Sequence, residues 1–181
     1  MSSTLAPAVR QIPNALTLLR FAAIPLFIVL LLGERDGPRW PAAIVFGIAA
    51  VTDQIDGYLA RRWSVESQFG KVADPLADRL MIDVAVVMLV WLDRLPWVAL
   101  VILVRDVLLI GGYKIVVQRG YSFDVSRLGK IATWGLYASL GLVLVTEQGT
   151  WWALACFWVS LGLAVGAAVQ YVLKAVREVQ L

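Results

Sequence analysis

The 181 residues contain no histidine and a single cysteine, Cys156. Without an imidazole there is no Ser-His-Asp triad, no phosphohistidine nucleophile and no nitrogen-ligated metal centre. One thiol forms no disulfide within the chain, and its apolar neighbours suggest a small buried hydrophobe. Charge is also scarce, at 16% of residues, with a mean hydropathy of +0.78. Soluble domains carry about 25% charged residues, so a soluble globular domain is excluded. A net charge of +3 gives no footprint for nucleic acid. No low-complexity stretch or shift in composition marks a second domain, and residues 1–181 read as one.

Long apolar runs fill the space that charge leaves. A transmembrane helix needs about 20 apolar residues, and six such spans are expected, over residues 15–33, 40–61, 76–92, 96–118, 128–147 and 151–173. The fold class is therefore all-α and polytopic. Residues 1–12 leave room for a short interfacial helix. The first span is long and followed by others, unlike a cleaved signal peptide. Between the spans, "GERDGPRWP" (33–41), "LDRLP" (92–96) and "TEQGT" (146–150) are polar, turn-forming breaks. Trp40, Trp63, Trp91, Trp97, Trp151 and Trp152 fall near span ends, as interfacial anchors do. Of the 16 lysines and arginines, Arg35, Arg39 and Arg94 lie on one side and Arg105 lies inside span four. The rest collect on the side of the termini. That bias puts the termini and the 62–75 loop in the cytoplasm of a bacterial-type inner membrane.

Against this background "VTDQIDGYLARRWSVESQFGKVADPLADRL" (51–80) stands out. Asp53 and Asp56 are three residues apart and share a helical face, with Ala60 one turn further along. Asp74 and Asp78 are four apart and also share a face. Pro75 suits either the first turn of span three, with Asp74 as its cap, or the interior of a helix that began earlier. The short connection makes spans two and three antiparallel neighbours, so the two acid pairs can converge. A carboxylate at bilayer depth costs about 2.5–3.5 kcal/mol on insertion scales. Four together would raise one another's pKa values unless a cation intervened. With oxygen donors alone, one or two hard divalent ions fit: Mg²⁺, Mn²⁺ or Ca²⁺.

Asp53-x2-Asp56-Gly57-x2-Ala60-Arg61-x8-Gly70-x3-Asp74-x3-Asp78 resembles the signature of the CDP-alcohol phosphotransferase family at all eight of its positions. The six-span layout and "IPNALTLLRF" near the N terminus are similar too. The resemblance implies a transferase that moves a phosphatidyl group from CDP-diacylglycerol to an alcohol and releases CMP. It implies that Asp53, Asp56 and Asp74 hold two Mg²⁺ or Mn²⁺ ions, and that Asp78 is the general base and sometimes a further ligand. Gly57, Ala60 and Gly70 would then admit the nucleotide and Arg61 would touch phosphate. Asn14, Thr17 and Arg20, three residues apart, would line the nucleotide site. Their bland alternative is the start of an interfacial helix with Arg20 snorkelling. A homodimer is implied by the resemblance alone.

The acceptor is less legible. Arg105 and Asp106 lie deep in "LVRDVLLIGG", and an intramembrane arginine marks a functional site unless an internal ion pair, to Asp106 or Asp83, accounts for it. Arg127 and Lys130 share a face at the start of span five. Together with Arg105 they suit an acceptor carrying phosphate, although Arg127 is equally suited to lipid headgroups. The stretch from Asp74 to Gly112 is similar to CDP-diacylglycerol-dependent cardiolipin synthases, which use phosphatidylglycerol. Phosphatidylglycerophosphate synthases, which use glycerol 3-phosphate, also share "IPNALTLLR" and "LGKI". They usually carry Arg-Glu where this chain has Arg105-Asp106, and Lys-Thr where it has Ala132-Thr133. The missing histidine rules out the phospholipase-D type of cardiolipin synthase. A small transporter is the alternative from another class; it would show an inverted repeat, which is not visible here. Gly162-x3-Gly166 is expected to be a packing face between helices, and Gly111-Gly112 another.

Overall fold

A computed structural model describes the backbone of residues 7–33, 37–63, 68–118 and 127–179. Side-chain surroundings are described for residues 19, 21–33, 37–52, 79–109 and 128–173. The described residues form six α-helices: α1 (Pro7–Gly33), α2 (Trp40–Trp63), α3 (Gln68–Trp91), α4 (Val101–Gln118), α5 (Arg127–Val145) and α6 (Trp151–Val179). A 3-10 turn, Trp97–Leu100, leads into α4. The chain divides into two compact units, Met1–Val84 and Ala85–Leu181.

In the first unit α1 packs on α2. Phe27 and Leu31 of α1, and Ala42, Phe46, Ala49 and Ala50 of α2, are buried. Both sets follow helical spacing, so each helix turns one stripe inward. The Phe27 and Phe46 rings meet tilted, centroids 5.8 Å apart, a geometry worth about 0.5–1.5 kcal/mol beyond the area it covers. Gly37 takes a positive φ of 76° in the corner between the helices, where a side chain would be strained. The buried Arg39 guanidinium donates to the Leu31 carbonyl in the last turn of α1. Its own carbonyl accepts from the Ala43 N–H at 2.9 Å, opening α2. One residue thus satisfies the end of one helix and starts the next.

In the second unit α3 ends in a Schellman motif. The Arg94 N–H reaches the Leu89 carbonyl at 2.8 Å and the Asp93 N–H reaches Val90 at 3.0 Å. Asp93 carries a φ of 56°, the left-handed position that usually goes to glycine. Arg94 is buried, and its Nη1 donates to the carbonyls of Val143 at 2.9 Å and Thr146 at 3.1 Å, at the end of α5. α5 packs along α6 through Ala132, Leu136, Leu140 and Leu144 on one side, and Ala153, Phe157, Leu161 and Ala164 on the other. The close approach is at Gly135, where an added Cβ would lie 2.8 Å from Ser160 Oγ and 3.3 Å from Ser160 Cβ. α4 touches α6.

Several expectations need correcting. Residues 7–12 do not form a separate interfacial helix: they open α1, because Pro7 is pre-organised for a first helical turn; residues 1–6 lie outside the described residues. α3 begins at Gln68 and not at residue 76; of the two settings left open for Pro75, the interior of a helix that began earlier is the one found, and Asp74 is not its cap. Among the described residues nothing packs on Gly162 or Gly166: both are exposed and a Cβ on either would meet nothing within 4 Å. Small-residue spacing marks a smooth stripe, and here that stripe faces outward. Cys156 is exposed on α6, not buried. Gly111 and Gly112 lie outside the residues whose side-chain surroundings are described.

The outward surface is greasy. Leu26, Val29, Ile44, Ile48, Val104, Val107, Leu108, Val159 and Val169 are all exposed, as are Trp40, Trp91, Trp97, Trp151 and Trp152 at helix ends. In water this would be an aggregating surface; in lipid it is a solvated one. Leu128–Val145 and Trp151–Leu173 are long and apolar enough to cross a bilayer, and Phe21–Gly33 and Trp40–Thr52 are shorter apolar helical stretches. α3 and α4 include charged side chains in their described parts, Arg79 and Asp83 in one and Arg105 and Asp106 in the other. Those charges need a reason.

Candidate active site

The helices place the signature by register. On α2 the buried stripe of Ala42, Phe46, Ala49 and Ala50 continues, at steps of three and four, through positions 53, 56, 57 and 60. Those positions are Asp53, Asp56, Gly57 and Ala60. On α3 the buried stripe of Met81, Ile82, Ala85 and Leu89 runs back through positions 78 and 74, which are Asp78 and Asp74. On α1 the stripe of Phe27 and Leu31 runs back to Arg20 and Thr17, with Asn14 one three-residue step further. Arg61 belongs to the end of α2 and Gly70 to the first turn of α3.

The side chains of Asp53, Asp56, Gly57, Ala60, Arg61, Gly70, Asn14, Thr17, Arg20, Asp74, Asp78 and Arg127 lie outside the described residues. The backbone and the donor chemistry still test a metal. Asp53 and Asp56 sit within one turn of α2, Asp74 and Asp78 within one turn of α3. Each pair offers only carboxylate oxygen, and the chain has no imidazole to compete. That set fits a hard divalent cation.

α4 carries the described part of the remaining charge. Ile102, Arg105, Asp106 and Leu109 are spaced along one stripe, opposite the exposed Val104, Val107 and Leu108. Arg105 Nη1 donates to Asp106 Oδ1 at 2.5 Å, with 11% of the Arg105 side chain and 3% of the Asp106 side chain exposed. Of the two internal partners open to Arg105 in the sequence, the bond falls to its neighbour. Arg105 Nε is buried with no hydrogen-bond partner. Lys130, in the first turn of α5, is exposed.

Two arginines escaped the sequence reading. Arg39 and Arg94 counted there only as loop charges, yet each is buried against helix-terminal carbonyls. The available signal was their setting: each stands within two residues of a proline in a corner too short to leave a long side chain in solvent.

Residues 10–166 match the profile of the family described as CDP-alcohol phosphatidyltransferase. A cardiolipin synthase (CMP-forming) of Streptomyces coelicolor is 40% identical over 149 residues, covering 79% of this chain and 69% of the relative. A CDP-diacylglycerol–glycerol-3-phosphate 3-phosphatidyltransferase of Bacillus subtilis is 35% identical over 148 residues, covering 75% and 77%. A probable phosphatidylglycerophosphate synthase of Mycobacterium tuberculosis is 32% identical over 177 residues, covering 94% and 84%.

Proposed function

The chain belongs to the CDP-alcohol phosphatidyltransferase family of membrane enzymes of phospholipid synthesis, and from that premise we propose a cardiolipin synthase that joins CDP-diacylglycerol to phosphatidylglycerol. The observation that supports the site is the register: the positions of the four aspartates continue, at helical spacing, the rows of buried residues described on α2 and α3. Six spans, with the signature and both termini at the cytoplasmic face, are supported by the distribution of lysine and arginine.

In this reading the acceptor hydroxyl attacks the diacylglycerol-bearing phosphorus. A new P–O bond forms, the bond to CMP breaks, and the hydroxyl proton passes to the Asp78 carboxylate. An alcohol is far too weak an acid to ionise at neutral pH, so removing the proton as the bond forms is worth about 10²–10⁴-fold. Asp53, Asp56 and Asp74, with Asp78, would hold two Mg²⁺ or Mn²⁺ ions, which when bound neutralise the pyrophosphate and steady the leaving phosphate. Gly57 and Gly70 carry no side chain where the nucleotide must approach, Ala60 keeps that stripe small, and Arg61 meets phosphate. Asn14, Thr17 and Arg20 of α1 complete the nucleotide side. Arg105, Arg127 and Lys130 receive the acceptor phosphate.

The choice of phosphatidylglycerol rests on the residues from Asp74 to Gly112 and on the 40% identity with the Streptomyces coelicolor relative. The second reading, a phosphatidylglycerophosphate synthase acting on glycerol 3-phosphate, is favoured by the names of the Bacillus subtilis and Mycobacterium tuberculosis relatives. Both acceptors present one phosphate, so charge does not discriminate between them. Acyl chains do, because their burial rewards an acceptor site open to lipid and offers a small polar acceptor nothing. Purified protein given CDP-diacylglycerol with either acceptor decides by product mass. Cardiolipin from phosphatidylglycerol is expected. Phosphatidylglycerophosphate from glycerol 3-phosphate, with no cardiolipin, would promote the second reading.

A further inference from the structure

Among the described residues of the second unit, Arg105 is a largely shielded arginine whose partner is the adjacent residue. Neighbours along a helix do not face each other, so the bond at 2.5 Å to Asp106 requires the arginine to fold back along α4. Asp106 has a single methylene and, at 3% exposure, little freedom. It therefore acts as a fixed post. The guanidinium has five N–H donors in a rigid fork, and the Asp106 bond takes only the Nη1 end. Nε and Nη2, which form the side-on edge of the fork, are left together, and Nε is buried without a partner. A buried donor left unpaired is costly, and such a group in a folded protein calls for an explanation. The intact edge matches two oxygens of one phosphate.

We propose that Asp106 is a positioning residue: by holding Nη1 it keeps the Nε/Nη2 edge of Arg105 in one orientation as a bidentate receptor for the acceptor's phosphate. This deepens the assignment of Arg105 to the acceptor and rests on it. It also accounts for the cost of an acid beside that arginine. A lone Arg105 would bind anions in several orientations, whereas a pinned one offers a single geometry, and orientation is what in-line attack demands. The pair is neutral in charge, yet one carboxylate oxygen engages one of five donors and leaves the side-on edge its hydrogen-bonding capacity.

The test is a double-mutant cycle on the full-length enzyme in lipid nanodiscs, with separate KM values for phosphatidylglycerol and CDP-diacylglycerol. Arg105→Ala should raise the acceptor KM about 30-fold with CDP-diacylglycerol KM within twofold. Asp106→Asn keeps an acceptor oxygen but not the charge, and should raise the acceptor KM about 5-fold; Asp106→Ala should raise it about 20-fold. In the Arg105→Ala background neither Asp106 change should add to the loss, because Asp106 acts through the arginine. Inorganic phosphate, as a competitor against the acceptor, should weaken in the same order. If Arg105→Ala leaves the acceptor KM unmoved, the acceptor assignment fails and this inference with it. If Arg105→Ala raises it but Asp106→Asn and Asp106→Ala do not, or if their effects multiply with Arg105→Ala, the acceptor assignment stands and the positioning role is overturned. Asp106→Asn is nearly isosteric and covers the case in which Asp106→Ala fails to fold; a fall in thermal stability with unchanged KM for the acceptor would assign the pair to structure alone.

Discussion

Arg94 is buried and Arg105 largely so, both cations of the second unit, and they are used in different ways. Arg94 stands in a corner and spends Nη1 on two carbonyls at the end of α5, Val143 and Thr146. Those carbonyls have no partner inside their own helix, and the negative end of the helix dipole favours a cation there. Arg105 stands within α4, where the backbone satisfies itself and asks nothing of a side chain. Its one partner is a side chain, the Asp106 carboxylate, and not a helix-terminal carbonyl. Arg39 repeats the Arg94 pattern at the end of α1. Cations that complete a backbone belong to the structure. In the proposed function, charges placed where the backbone needs none, Arg105 and the four signature aspartates, belong to the chemistry.

The comparison predicts opposite phenotypes for the two kinds of charge. The largest effect is expected at the signature. Asp53→Ala, Asp56→Ala or Asp74→Ala should each lower turnover by at least about 10³-fold, since each removes an anionic ligand oxygen, while thermal unfolding in the absence of metal stays at the parent temperature or rises. Asp78→Asn should lower turnover by about 10²–10⁴-fold and leave CDP-diacylglycerol binding in place, because an amide accepts no proton. Binding lost in step with turnover would make Asp78 chiefly a ligand. These variants are compared by equilibrium binding of the nucleotide lipid and by single-turnover rates.

Arg94→Ala should show the reverse. Its loss strands the carbonyls of Val143 and Thr146 at the end of α5, costing about 1.5–3 kcal/mol for bonds from a charged donor. At this chain length that lowers the unfolding midpoint by roughly 5–10 °C, with KM for both substrates unchanged in the enzyme that remains folded. An acceptor KM that rises after Arg94→Ala would erase the distinction drawn between the two arginines.

The smallest effect sharpens the structural side. Gly135→Ala introduces a Cβ 2.8 Å from Ser160 Oγ, and that hydroxyl is already committed to the Cys156 carbonyl at 2.8 Å. A cost of about 1 kcal/mol is expected, read as a lower midpoint in thermal unfolding. Ser160→Ala in the same chain should recover part of it. Gly162→Ala, where nothing lies within 4 Å, should be neutral in the monomeric protein, and a loss there would point to a second copy on that face.

Much of this division was legible in the residues. The aspartates could be read because chemistry constrains both type and spacing, and Asp53 to Asp78 keep a pattern that packing alone does not demand. The helices could be read from hydropathy, within a few residues at most ends. α3 began eight residues before the expected start because a single proline removes one backbone bond and does not stop a helix whose other positions agree. Arg94 could not be read as a cap because its carbonyl partners lie 49 and 52 residues away in the chain. The Gly162-x3-Gly166 spacing misled for a similar reason: it describes one helix surface, whereas contact at Gly135 depends on which surface of α6 turns toward α5. The register of the acid stripes emerged only with the helices, since it needs the buried residues on the same faces to be known.

The central claim is that the carboxylates of α2 and α3 serve a metal-dependent transfer from CDP-diacylglycerol. The most direct measurement is CMP release by purified protein from CDP-diacylglycerol and phosphatidylglycerol, followed across a titration of Mg²⁺ or Mn²⁺ and again in EDTA. The account predicts release that rises with the cation, stops in chelator, returns on adding excess metal and is absent in Asp74→Ala. Full turnover in chelator, or release that survives Asp74→Ala, would contradict it.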